Sequence, residues 1–223
     1  EGRLYLASMG IYIFNRKTLY NLLQGNDRTD FGKEIIPQSI KTHKVISYQY
    51  EGYWTDIGTI PSFFDANLGL TDEIPGFNLY GNRAIYTRAR MLPPSKVSGT
   101  EQERAVISEG CIINARHIIR SVVGIRTRIG FETTIENCYI MGSDNYQTLE
   151  MIEESHANGT PLMGIGDRCR IKNAIIDKNC HRGNDGCINC GEPLENGEEG
   201  TDTVKDGIVV VKKRAIIPSG TVI

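Results

Sequence analysis

A chain of 223 residues with 39% hydrophobic content can bury one large core or two small ones. Its 25 basic and 27 acidic residues are well mixed and leave a net charge of −2, which excludes the basic tract of a nucleic-acid binder. No apolar run approaches the roughly 18 residues of a membrane span.

The six cysteines (111, 138, 169, 180, 187 and 190) do not form the spacing of a small secreted scaffold, so reduced thiols and a cytoplasmic setting are expected. The chain starts Glu1-Gly2-Arg3 without methionine and passes straight into a strand-like run. The expectation is a fragment of a longer protein.

Leu4–Phe14 is rich in β-branched and aromatic residues and predicts a strand. Asn15 is placed to cap a short helix over Lys17–Leu23. Asp30 stands before FGKEIIPQSIK, where a carboxylate serves equally as a helix cap or as a ligand. Lys44–Tyr50 alternates as a strand does and leads into Tyr53-Trp-Thr-Asp-Ile-Gly-Thr59. Residues two apart on a strand share a face. Trp54 and Asp56 would then pair a flat apolar surface for a sugar ring with a hard oxygen ligand for Mg²⁺. Pro61–Leu68 predicts a helix. This alternation predicts an α/β layer fold over residues 1–71, with further strands expected upstream.

Residues 72–96 hold Pro75, Gly76, Gly81, Pro93 and Pro94 and predict a linker. Over 97–223 a period of six sets in, with Ile107, Ile113, Ile119, Ile125 and Phe131 in one row. It returns at Ile165 and Ile171, and again at Val211, Ile217 and Ile223. Such a period marks a parallel β-helix, here Val106–Gly142 and Met163–Ile223, with the isoleucines stacked inside. Two stretches interrupt it. Asp144–Thr160 predicts an amphipathic helix with Leu149 and Ile152 on one side, and Asn184–Asp206 an exposed loop. Arg90, Lys178 and Lys213 each flank an apolar element. Cys180-His181 followed by Cys187-x-x-Cys190 carries zinc-ligand types, although adjacent residues rarely reach one metal.

ASMGIYIF, DFGKEIIP and YWTDIGTI, in that order, resemble the closing part of the catalytic domain in the glucose-1-phosphate adenylyltransferase (ADP-glucose pyrophosphorylase) family. SVVGIRTRI, MGSDNY, LMGIG and IKNAIIDKN resemble its plant and cyanobacterial branch. The resemblance implies the end of a Rossmann-like nucleotidyltransferase domain followed by a left-handed parallel β-helix. The implied reaction transfers AMP from ATP to glucose 1-phosphate, giving ADP-glucose for glycogen or starch synthesis. Ser8, Tyr12, Asp30 and Trp54 would line the glucose 1-phosphate pocket, and Asp56 would be one of two carboxylates holding Mg²⁺. Arg90, Lys178 and Lys213 would bind anionic effectors such as 3-phosphoglycerate and orthophosphate; Arg88 stands where the branch has a neutral amide. The family carries no zinc at its counterpart of the Cys-His segment, and Arg182 and Gly186 stand where the resemblance implies apolar residues.

A homo- or heterotetramer is implied, in the bacterial cytoplasm or a plastid stroma. No GGGxGTRL-like nucleotide loop and no FVEKP-like segment occurs, so this chain alone is expected to be inactive. The alternatives are another sugar-1-phosphate nucleotidyltransferase or a non-catalytic regulatory subunit. An acyltransferase built on His117 is a further one.

Overall fold

The computed structural model describes residues 7–25, 27–82, 84–191 and 193–223. The chain divides into two compact units, Glu1–Trp54 and Thr55–Ile223.

In the first unit, α1 (Arg16–Leu23) starts where Asn15 accepts a hydrogen bond from the Lys17 amide at 3.0 Å. Asp30 caps the next element through the Lys33 amide at 2.8 Å. The turn 31–35 is wider than an α-helix before α2 (Ile36–Thr42) continues it. Pro37 has no N–H to give the Lys33 carbonyl, and its ring crowds that oxygen, which favours the wide turn just upstream.

The expected strands are not found. Residues 4–6 lie outside the described residues. Residues 7–14 and 44–50 join no ladder. An extended segment becomes a strand only beside a partner that takes up its N–H and C=O groups, and none of the described residues supplies one. The period of two is nonetheless real. Tyr12 and Phe14 turn toward Phe31, while Ile11 and Ile13 (99% exposed) turn away.

The second unit opens with α3 (Ile60–Leu68), held by a reciprocal cap. The Ser62 amide donates to Thr59 Oγ1, and the Thr59 amide donates to Ser62 Oγ. A parallel stack follows. Its short strands are β1 (Lys96–Val97), β3 (Ile112–Ile113), β5 (Arg128–Ile129), β7 (Gly164–Ile165), β9 (His181–Arg182) and β14 (Ile216–Ile217), and they form one sheet in that order. Its long strands are β2 (Glu101–Ile107), β4 (His117–Val123), β6 (Thr134–Ile140) and β8 (Arg170–Ile176). They form a second sheet, which β13 (Ile208–Val211) extends in parallel. β10 (Cys187–Ile188) also pairs with β8. The chain thus visits the two sheets alternately and climbs one strand at each pass.

Register places like positions on top of one another. One column runs Val97, Ile113, Ile129, Ile165, Arg182, Ile217. A second runs Ile118, Ile135, Ile171, Ile188, and a third Ile107, Val123, Ile140, Ile176, Val211. These columns make the core together with the small residues Ala115, Cys138, Cys169 and Ala174.

The inward row therefore differs from the expected one. Ile113, Ile165, Ile171, Val211 and Ile217 are buried. Ile107 and Ile223 pack on the core from its edges. Ile119 and Ile125 are only half-buried, and Phe131 is 62% exposed. The cause is in the long strands. Each bends at a left-handed residue, Arg104, Arg120, Asn137 or Asn173, with φ of 50°, 43°, 49° and 45°. Across such a bend the inward step is five residues, as from Ile118 to Val123, and the step from Ile113 to Ile118 ahead of it is also five, so Ile119 is already out of the inward row.

The first interruption is the expected helix, and the second carries more order than expected. α4 (Leu149–Ala157) is a helix, but Leu149 is 77% exposed; its buried side is Ser155, which Gln147 reaches through Nε2 at 3.4 Å. The expected loop 184–206 contains β10, β11 (Gly197–Glu198) and β12 (Asp202–Lys205), the last antiparallel to β13. A disulfide joins Cys187 to Cys190, so reduced thiols hold only for the four buried cysteines. On the outer face of the long sheet, Phe64 and Leu68 of α3 cluster with Ile175 and Ile208, and Phe63 meets the Tyr139 ring at 5.5 Å.

Candidate functional site

The first unit gathers three of its four sequence-predicted side chains around one aromatic group. Ser8 Oγ and Tyr12 Oη are hydrogen-bonded at 3.0 Å, and the Gly10 amide also donates to Ser8 Oγ at 3.2 Å. Tyr12 stacks on Phe31, with centroids 6.1 Å apart and planes 16° from parallel. Phe31 follows Asp30 directly. Asp30 acts as a helix cap, and only its Oδ1 is engaged in doing so, which leaves Oδ2 able to accept from a ligand hydroxyl. Beside it, Glu34 Oε2 accepts the amides of Asp30 and Thr29 at 3.1 and 3.0 Å, and these bonds hold its carboxyl below the usual range. Trp54 is 44% exposed.

In the second unit Asp56 precedes α3 in an exposed turn. Its Oδ1 accepts the Gly58 amide at 3.1 Å. A Cβ on Gly58 would come within 3.3 Å of that oxygen, so glycine keeps the turn tight. Oδ2 is left as a free anionic oxygen, the donor type that Mg²⁺ prefers. Among the described residues no three His, Cys, Asp or Glu side chains gather as a metal site. Asp56 could supply one carboxylate ligand to such an ion.

Lys178 and Lys213 converge on a carboxylate that sequence reasoning passed over. Lys178 Nζ bonds Asp144 Oδ1 at 3.0 Å, and Asn179 Nδ2 bonds Oδ2 at 2.9 Å. The Asp144 amide returns a bond to Asn179 Oδ1 at 2.8 Å. Asn179 first, then Lys178, with a smaller pull from Lys213, holds the Asp144 carboxyl below the usual range. An anion arriving here has to compete with Asp144 for Lys178. Asp144 lies inside the MGSDNY stretch, which was the available signal. Arg90 is exposed ahead of β1.

The zinc arrangement is not formed. Cys187 and Cys190 are bonded to each other, and the Cys180 thiol is buried against the carbonyls of Asp177 and Lys212. His181 Nδ1 is turned to the Pro161 carbonyl at 2.8 Å. His117, the acyltransferase candidate, pairs with Glu101 at 3.1 Å.

Comparison with known families gives two matches. The model described as the GLGC left-handed parallel β-helix domain matches residues 90–222. The model described as nucleotidyl transferase matches residues 2–73.

Proposed function

The chain belongs to the family of the GLGC left-handed parallel β-helix domain, which spans more than half of it, and from this we propose that it is the C-terminal portion of a glucose-1-phosphate adenylyltransferase. The nucleotidyl transferase match ahead of the β-helix domain supports a sugar-1-phosphate nucleotidyltransferase at the coarser level. That pairing, in that order on one chain, is the observation that carries the reading. The proposed layout is a catalytic segment over 1–71, a linker over 72–96 and the β-helix over 97–223, in a plant- or cyanobacterial-like enzyme that works as a tetramer.

In the proposed reaction a phosphate oxygen of glucose 1-phosphate attacks the α-phosphorus of ATP, and pyrophosphate leaves. Such chemistry depends on alignment and charge neutralisation more than on proton transfer. Mg²⁺, when bound, supplies much of that neutralisation. Asp56 would hold it through the free Oδ2. Asp30 would accept hydrogen bonds from sugar hydroxyls, Trp54 would cover a ring face, and Ser8 and Tyr12 would complete the sugar phosphate site. Lys178, Lys213 and Arg90 would bind an anionic effector, with 3-phosphoglycerate activating and orthophosphate opposing it.

The test is pyrophosphate release by the complete enzyme over a panel of nucleotides and sugar phosphates. ATP with glucose 1-phosphate should be the preferred pair, and preference for another pair would move the protein to a different member of the class. Asp56→Asn should lower turnover about a thousandfold, or roughly 4 kcal/mol of transition-state stabilisation. Near-parental turnover at ordinary Mg²⁺ removes Asp56 from the site. Asp30→Ala should act on the apparent affinity for glucose 1-phosphate; an effect confined to ATP contradicts its role.

A further inference from the structure

We propose that the Cys187–Cys190 disulfide is a thiol–disulfide exchange site, opened by a dithiol reductant, whose state sets the order of the last β-helix coil.

The sulfur chemistry of the chain is concentrated at this pair. Cys111, Cys138, Cys169 and Cys180 are free thiols buried in the core. Burial pushes the Cys138 thiol up to about 12 and that of Cys180 to about 11, and it raises Cys111 as well. Those three thiols stay protonated and unreactive. Cys187 and Cys190 are only partly buried. Cys190 also lines a cleft of about 420 Å³ between Thr134, Arg170 and Lys172 on the sheet and Pro193 and Leu194 beyond the disulfide. A reductant therefore has a way in.

The loop that the bond closes holds only Ile188 and Asn189, and a loop so short restricts the unfolded chain little. Its value is local. The Cys187 amide donates to the Thr221 carbonyl at 3.1 Å, Ile223 donates back to the Cys187 carbonyl at 2.9 Å, and the Asn189 amide donates to the Ile223 carbonyl at 2.6 Å. Asn189 Nδ2 reaches the carbonyls of Asn173 and Gly207 at 3.3 and 2.9 Å, tying the turn to β8 and to the start of β13. Asn189 holds a left-handed φ of 58°, which the cross-link keeps in place. Ile188 inside the turn is buried in the core, but this coil has no aliphatic side chain in the first column. Its inward place in the first column is Arg182, whose guanidinium bonds the carbonyls of Pro218 and Thr221.

The exchange balances as follows. A thiolate of the reductant attacks Cys190 Sγ, the sulfur at the cleft. The S–S bond breaks, and its electron pair leaves on Cys187 sulfur, which takes up a proton. The second reductant thiolate then releases Cys190 as a thiol and closes the reductant's own disulfide. Two electrons pass from reductant to protein, and re-oxidation reverses the sequence.

Alkylation with mass analysis tests the bond, and amide hydrogen exchange tests its consequence. The oxidised chain, denatured without reductant, should take four alkyl groups. Native chain treated first with millimolar dithiothreitol should gain two more, at Cys187 and Cys190. Exchange at Asn189 and Ile223 should rise roughly tenfold or more on reduction, while Ile113 and Ile135 stay protected. The Cys187→Ser/Cys190→Ser chain should exchange like the reduced parent; should it not fold, the reduced parent gives the same reading. Six free thiols in chain incubated with oxidised glutathione overturn the proposal. So does a bond that yields only in denaturant, or reduction that leaves exchange at 221–223 unchanged.

Discussion

Arg182 occupies the inward place that isoleucine holds at 113, 129, 165 and 217, and it is almost fully buried. Desolvation lowers its pKa, and Nε has no partner. The guanidinium is accommodated by two features, the carbonyls of Pro218 and Thr221 and the missing side chain of Gly186. A Cβ at 186 would run into it. Gly186→Ala should then destabilise the chain by about 1–3 kcal/mol in a urea titration. In an Arg182→Ile background most of that cost should vanish, and equal costs in both backgrounds would show the two positions to be independent. Resemblance to the family marked both residues as departures from its pattern, but their compensation needs the coil geometry to be seen. Asp144 gives a second test at this scale. Its carboxyl is held low by Asn179 and then by Lys178, so Asn179→Ala should raise its pKa more than Lys178→Ala does, as read by NMR titration. A lowered folded-state pKa contributes stability above the usual carboxylate pKa, and the contribution disappears as pH falls through the lowered value. Both variants should therefore be less stable than the parent near neutral pH, and the difference should close as pH falls through the lowered value. A parent Asp144 that titrates normally would remove the basis for this.

Local chemistry made the helices legible. Asn15, Asp30 and Thr59 each cap an element at the start that side-chain type predicts. Strand expectations for 7–14 and 44–50 failed because composition reports a preference for extended backbone, and ladder partners are a property of the fold. The six-residue period was half legible. It found Ile113, Ile165, Ile171 and Ile217, and it lost phase at five-residue steps, first from Ile113 to Ile118 and then across the bend at Arg120 from Ile118 to Val123. Asn is at home in a left-handed conformation, but Arg gives no such sign. Ile118→Asp should therefore unfold the stack, since an unpaired charge would enter the core. Ile119→Asp should be tolerated far better. Thermal melts of the pair check this, and equal loss would return Ile119 to the interior. The pairing of Lys178 with Asp144 was hidden for another reason. Helix α4 and its flanks separate them in sequence, and only the return of the chain to β7 and β8 brings them together.

Within the second unit, the proposed metal carboxylate and one proposed effector lysine lie at opposite ends of one apolar contact. Asp56 leads into α3 through the Thr59 cap, and α3 places Phe64 and Leu68 against Ile175 and Ile208. Ile175 sits on β8 with its side chain outward, next to Ile176, which points into the core. Two residues later comes Lys178, bound to Asp144. An anion that draws Lys178 away from Asp144 changes the load on the end of β8, and α3 is the element packed on that strand's outer face. Packed contacts of this kind carry coupling only where both ends bias the same arrangement, typically by about 1–3 kcal/mol. Ile175→Val trims one methylene and should keep the fold at a cost of roughly 0.5–1.5 kcal/mol. In the complete enzyme it should reduce the rise in turnover at saturating 3-phosphoglycerate while leaving the half-effect concentration near the parent's. Lys178→Ala should do the reverse, raising that concentration and leaving unactivated turnover unchanged. Steady-state titrations of both variants separate the two roles. An Ile175→Val enzyme with the parent's full activation would show that α3 rests on β8 for stability alone, and that effector binding reaches Asp56 by some other route.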